Sequence, residues 1–372
     1  MKKEVSKSNV TPWEVSGKIN YERLVKDFGV SSMPTNLIAK TKNLHPLLRR
    51  GFYFSHRDFD SWVKDAESKK KVSILTGRGP SEKMHVGHLV PFLIAKSLQD
   101  KYKCNVYIPF SEDEKYFVKK DLGFEEAKKF TEENISHIIA LGFDMKKTFF
   151  SRDFNDPELY SNSAKIAKLI TYSEVKAIFG LKPENNIGWS FYPAVQAYHI
   201  LLPQLKKGPH KTLVPVGIDQ DPFIRLTRDI ATHSSLKLNK PSAIYSKFLP
   251  GLRGGSKMSS SSGLETDLIF LTDTQNEVKR KINKYAFSGG KDTLEAHRKH
   301  GGNPEIDVSF QYLKAIFETD DKKLSKIEKN YRSGKLTTGE LKAYTIEKIN
   351  FFLKEHQKKL TKARKDAKKI FS

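Results

Sequence analysis

Residues 71–92 read KVSILTGRGPSEKMHVGHLVPF. KVSILT is an apolar run of strand type that ends at Gly77, and Gly79 with Pro80 marks a turn. From Val86 onward the apolar residues fall at Leu89, Leu93, Ile94 and Leu98, the spacing of one helical face. A strand that enters a helix through a glycine-rich turn is the opening unit of a sheet with helices packed on it. Working outward, CNVYIPF (104–110), KTFFS (147–151), TLVPVGI (212–218) and SAIYSKF (242–248) repeat the strand signal, with helical segments between them. Such alternation means a parallel sheet with covered faces. Ligands of such sheets bind beyond the carboxyl ends of the strands, and Gly77, Ser111–Lys115 and Gly217–Asp221 stand at those ends.

The 372 residues exceed what one small core uses. Residues 1–70 mix short apolar patches with charges and read as an N-terminal extension. Residues 71–265 carry the α/β pattern, with a connecting insertion, and residues 266–372 are dominated by helical patterns broken at FSGGKD and GGN. No run approaches the roughly 18 apolar residues of a membrane span. The start, MKKEVSKSNVTPWEV, has no apolar core of secretory type, so a cytoplasmic chain without membrane contact is expected. Cys104 is the one cysteine, which removes a disulfide framework and any thiolate-rich metal site. Lys plus Arg number 66 against 43 Asp plus Glu, a net charge of +23. That excess favours a polyanionic partner, though a lysine-rich solvated surface gives the same number until a motif asks for nucleic acid.

His85 and His88 share a face at the mouth of the helix, and three chemistries are open to them. A zinc pair lacks the Glu of HExxH and any further His or Cys cluster, so no metal site is expected. A structural cap explains one histidine and neither glycine. A phosphate-bearing ligand explains the whole stretch. Gly77 and Gly79 permit close backbone approach, the helix start favours anionic charge, and two imidazoles can donate to oxygens whose charge grows in a phosphoryl-type transition state. Gly87 leaves space for a flat base. About 170 residues on, GGSKMSSSSG (254–263) places Lys257 before a serine run, where Lys257, Ser259 and Ser261 suit a departing pyrophosphate. HRD (56–58) and SGGK (288–291) lack the remaining residues of the kinase and P-loop motifs, and the triplets at Asn9 and Asn134 are of glycosylation type.

HVGH and KMSSS are similar to the two ATP motifs of class I aminoacyl-tRNA synthetases. In order, TGRGPSEKMHVGH, EDEKYF, FYPAVQA, GIDQDPF, KMSSS, IFLTDT and AFSGGKDT resemble the archaeal and eukaryotic cytoplasmic tryptophanyl-tRNA synthetases, from about residue 10 to the C-terminus. The resemblance implies an α/β fold: a Rossmann-like parallel-sheet catalytic domain with a C-terminal all-helical anticodon-binding domain. It implies ATP and Mg²⁺, L-tryptophan, tRNA(Trp) and a homodimer. On its motifs His85, His88 and Lys257 are catalytic. Gly77, Arg78, Gly79, Gly87, Lys115, Met258, Ser259 and Ser261 join them around ATP. Gly77, Glu114 and Gln196 match amino-acid contacts, as do Gln220 and Asp219, the last as a ribose or ammonium acceptor. Lys291 and Asp292 match an anticodon-contacting pair, for which a helix-start cap and a solvated lysine is the plainer reading.

One departure stands out. Relatives of this family place a Tyr before TGRGP and a Gln before the DEK run to hold the indole N–H, and here those places are Leu75 and Pro109, neither of which accepts a hydrogen bond. Three other functions fit parts of the pattern: a tyrosine-specific synthetase, a small-metabolite adenylyltransferase with an HxGH turn, and a non-catalytic RNA-binding descendant. KMSSS and the helical C-terminal region speak against the second, and intact His85, His88 and Lys257 against the third.

Overall fold

The computed structural model describes residues 9–10, 15–16, 19–40, 44–255, 258 and 265–370. Its main sheet has seven strands: β1 (Ser31–Ser32), β2 (Tyr53–Arg57), β3 (Val72–Leu75), β4 (Asn105–Phe110), β5 (Thr148–Arg152), β6 (Lys211–Gly217) and β7 (Ser242–Ser246). They lie in the order β1-β2-β7-β6-β3-β4-β5. The pairs β7–β6, β6–β3, β3–β4 and β4–β5 are parallel, which is the sheet the strand–helix alternation implies. The edge differs from that expectation. Residues 31–57, read as part of an extension, supply β1 and β2, which pair antiparallel and extend the sheet beyond β7.

Alternation along each strand divides the interior in two. Ile74, Val106, Ile108, Leu213 and Ile244 face one core, and Leu75, Tyr107, Val214 and Tyr245 face the other. The first core is closed by α1 (Leu89–Tyr102) and α3 (Phe124–Ala140), with α2 (Glu112–Val118) between them at the end of β4. The second is closed by α4 (Ile187–Lys207) and α5 (Asp221–Ala231). Beyond the sheet the chain is helical, with α6 (Gln275–Tyr285), α7 (Leu294–His300), α8 (Asp321–Arg332) and the 33-residue α9 (Thr338–Ile370). A Thr274–Glu277 capping box starts α6. No described helix is long and apolar enough to cross a membrane.

Helix α9 continues the first core. Leu353, Leu360 and Ala363 are buried in the same cluster as Ile135, Ile138 and Ile139 of α3. Gln357 donates to the carbonyls of Leu271 and Asp273 at 2.9 and 3.1 Å. His356 Nε2 meets His137 Nδ1 at 2.9 Å, and burial, His137 and Lys359 hold the His356 imidazole down to about 3. Glu133 of α3 lies 3.9 Å from His137. Below pH 6.5 the unfolded chain protonates this ring while the folded one refuses the proton until about pH 3, so stability falls as pH drops through that window. In His356→Gln, which keeps a hydrogen-bonding atom and does not titrate, urea unfolding at pH 7 and pH 5 should show about 2 kcal/mol less loss than in the unchanged chain.

Candidate active site

The site is built at the ends of β3 and β4. The backbone of Arg78 donates to the Pro109 carbonyl at 3.1 Å, and that of Ser111 to the Arg78 carbonyl at 2.9 Å. A Cβ at Gly77 would stand 2.6 Å from the Pro109 carbonyl oxygen, so only glycine lets these two strand ends run so close. The need for Gly77 is thus met inside the protein, before any ligand is considered. The Arg78 guanidinium is clamped by Asn134 Oδ1 at 2.6 Å, and burial lowers it to about 10, which leaves it charged at neutral pH. Asn134 also donates to the Glu82 carbonyl and is fully buried, so its glycosylation-type triplet is out of reach of any modifying enzyme.

HVGH forms a short helical turn, Val86–His88, ahead of α1. The Gly87 N–H donates to His85 Nδ1 at 3.1 Å and the His85 N–H to His88 Nδ1 at 3.2 Å, a reciprocal cap that holds the rings stacked 3.5 Å apart. With Nδ1 accepting on both rings, the neutral imidazoles carry their protons on Nε2, so each is a donor there. The structural cap read from the sequence for one histidine holds for both, since Nδ1 of each ring accepts a backbone N–H. On the far side, Val86 donates to the Ile269 carbonyl and Leu271 to that of Met84, both at 2.9 Å. Met258 is buried, and its sulfur would lie 3.1 Å from a Cβ on Gly87, at the edge of the space read as a base platform.

Glu82, His85 and His88 bring ligand-type atoms within 4.8 Å of one another. The Glu82 carboxylate already lies 3.8 and 3.9 Å from Arg78 and Lys119, so the trio lacks the uncompensated negative charge a divalent cation seeks.

One cleft of about 510 Å³ gathers the described residues read as ATP and amino-acid contacts. Gly77, Arg78, Gly79, His85, Gly87 and His88 line it between β3 and α1, and Lys115 of α2 and Met258 line it as well. Glu114, Gln196, Asp219 and Gln220 line it from α2, α4 and the end of β6. Lys115 Nζ meets Glu114 Oε1 at 2.7 Å, and Gln220 Nε2 is 3.4 Å from the buried Asp219 carboxylate. Lys291 and Asp292 lie apart, exposed in the loop before α7. The cap of α7 is Thr293, which accepts from Ala296, so Asp292 is not that cap. Lys257, Ser259 and Ser261 lie outside the described residues.

The family described as tRNA synthetases class I (W and Y) matches residues 67–354. The chain belongs to that family. A tryptophan–tRNA ligase of Sulfolobus acidocaldarius is 48% identical over 97% of this chain and 94% of its own length. The crystal structure of the tryptophanyl-tRNA synthetase of Aeropyrum pernix superposes with a TM-score of 0.86 at 35% identity, covering 94% of this chain and 96% of that one. That of Plasmodium falciparum does so with 0.85 at 37% identity, covering 95% of each.

Beneath this synthetase cleft lies a buried polar network that no local sequence pattern shows. Asp113 accepts from the Glu114 N–H at 2.7 Å, and His199 meets Asp153 at 2.8 Å. Burial and the neighbouring Asp153 push the Asp113 carboxyl up to about 9, so it is protonated at neutral pH. Arg152 grips Glu112 at 2.7 and 3.0 Å, both buried. Together they fix the first turn of α2, and through it the direction of Glu114. A second residue absent from the sequence reading is Tyr192, whose hydroxyl donates to Gln196 at 2.7 Å. Its signal was present, since Tyr192 stands four residues before Gln196 on one helix face.

Proposed function

We propose that this enzyme, a tryptophan–tRNA ligase, activates L-tryptophan with ATP and transfers it to tRNA(Trp) through the cleft just described. The observation that supports the assignment of roles is the reciprocal His85–His88 cap, which holds both rings at one side of a cleft whose other side carries Glu114, Gln196, Asp219 and Gln220. The tryptophan carboxylate attacks the α-phosphate, the α–β bridging bond breaks, and pyrophosphate leaves with the electron pair. His85 and His88 donate to the oxygens that gain charge, while Lys115 and, from the KMSSS stretch, Lys257, Ser259 and Ser261 receive the leaving pyrophosphate. Mg²⁺ enters with the nucleotide; as a hard cation it takes oxygen ligands, which the phosphates supply. Arg78, clamped on Asn134, acts by fixed positive potential and by shaping the turn. Glu114, Gln196 and Gln220 hold the α-ammonium, and Asp219 accepts from ammonium or ribose. The aminoacyl group then passes to the terminal adenosine of the tRNA, whose anticodon meets exposed Lys291 and Asp292 in a homodimeric, cytoplasmic enzyme.

ATP–pyrophosphate exchange with tryptophan, tyrosine and phenylalanine, without tRNA, tests the reading; exchange with tyrosine in place of tryptophan would refute it. In the same assay Glu114→Gln, which removes the charge that meets the ammonium, should raise the tryptophan KM roughly 10–100-fold with a smaller change in kcat. An unchanged KM would take Glu114 out of the amino-acid site.

A further inference from the structure

Leu75 and Pro109 bring β3 and β4 into the cleft with side chains that hold no hydrogen-bonding atom. Val214 and Phe223 extend the same apolar lining. A flat aromatic side chain fits such a slot, but an indole carries one N–H donor, and a donor buried without a partner is costly. The slot has a polar atom of the right kind on its α4 side. Tyr192 is 4% exposed, and its ring meets that of Phe223 edge-on at 5.9 Å, so the phenol has a fixed place. Its single proton is committed to Gln196 Oε1 at 2.7 Å. The oxygen that remains is an acceptor only: the Ser111 side chain hydrogen-bonds to it from the start of α2, a second lone pair is left, and Tyr192 lines the cavity with the two apolar strand ends.

We propose that the Tyr192 hydroxyl is the group that reads the indole N–H of the substrate, with Gln196 holding the phenol proton so that a lone pair faces the ring. This rests on the assignment of the cleft to tryptophan. Gln196 then serves twice: one lone pair of its carbonyl takes the Tyr192 proton, and the other is left for the α-ammonium. The indole-reading function thus sits on α4, one helical turn from the ammonium contact, instead of on the ends of β3 and β4. Specificity follows from polarity, because a ring that offers no donor at this point gains nothing from Tyr192.

The test compares tryptophan with β-(3-benzothienyl)alanine, whose sulfur replaces the N–H in a ring of nearly the same shape. ATP–pyrophosphate exchange gives kcat/KM for each, in the unchanged enzyme and in Tyr192→Phe, which keeps the ring and its contact with Phe223. The unchanged enzyme should prefer tryptophan by roughly 10–100-fold. Tyr192→Phe should lower kcat/KM for tryptophan by about that factor, mainly through KM, and leave the sulfur analogue within about threefold, so that the preference collapses. Equal losses for both substrates would overturn the proposal and make Tyr192 a support for Gln196 alone, and so would a preference that survives the substitution. Gln196→Ala separates the underlying reading: it should weaken both substrates, and unchanged KM values for both would show that the cleft itself had been misassigned.

Discussion

Replacing His88 with alanine should slow tryptophan-dependent ATP–pyrophosphate exchange by about 10²–10³-fold, with tryptophan affinity within a few-fold of its original value. His88 Nδ1 is engaged by the His85 N–H, which fixes the ring where it lines the cleft and places the proton of the neutral imidazole on Nε2. A donor already held in place costs no reorganisation when charge develops on the phosphate oxygens, so its contribution is concentrated in the transition state. Alanine also removes half of the reciprocal cap, at a cost of about 0.5–2 kcal/mol in stability, and that loss appears separately in thermal unfolding. Single-turnover adenylate formation and tryptophan titration divide the effects. Equal loss of affinity with unchanged turnover would place His88 outside the chemistry.

Truncation before α9 should abolish tryptophan activation itself, although that step needs no tRNA. Leu341, Ile349, Leu353 and Leu360 are buried on this helix in the core shared with α1, α3 and the sheet. Buried aliphatic side chains contribute about 1.5–3 kcal/mol each, so these four alone represent on the order of 6–12 kcal/mol. A domain's entire stability is of order 5–15 kcal/mol. Removing the helix would also expose Ile135, Ile138 and Ile139 of α3, so the remaining chain should lack a cooperative unfolding transition by calorimetry. A truncated protein that melts cooperatively and still exchanges pyrophosphate would show α9 to be dispensable for the catalytic fold.

The parallel strands were legible because each is a short apolar run with turn residues at its ends, and the alternation inside them even assigns Ile74 and Leu75 to opposite cores. The antiparallel edge was not. A two-residue strand such as Ser31–Ser32 has no periodicity, and YFSHR carries polar residues that are buried by neighbours far along the chain. At the site, glycine, histidine and lysine positions could be read because their chemistry is particular to those residue types. Their partners could not. Arg78 looks like a ligand contact in sequence, and its clamp, Asn134, stands 56 residues away. The Asp113–Asp153–His199 network joins three elements through burial alone, and Thr293 in place of Asp292 as the cap of α7 is a difference of one residue that only backbone geometry decides.

The two hydrogen bonds from Gln357 to the carbonyls of Leu271 and Asp273 have a thermodynamic meaning. They tie the long terminal helix to the segment in which Ile269 accepts from Val86 and Leu271 donates to Met84, on either side of His85. On the proposed function, tRNA at the helical region and tryptophan in the cleft would therefore act on one continuous bonded unit. Linkage is reciprocal: whatever factor bound tRNA imposes on the affinity for tryptophan, bound tryptophan imposes on the affinity for tRNA. Measuring either one fixes the other, and a Gln357 variant that changes one factor must change the other equally.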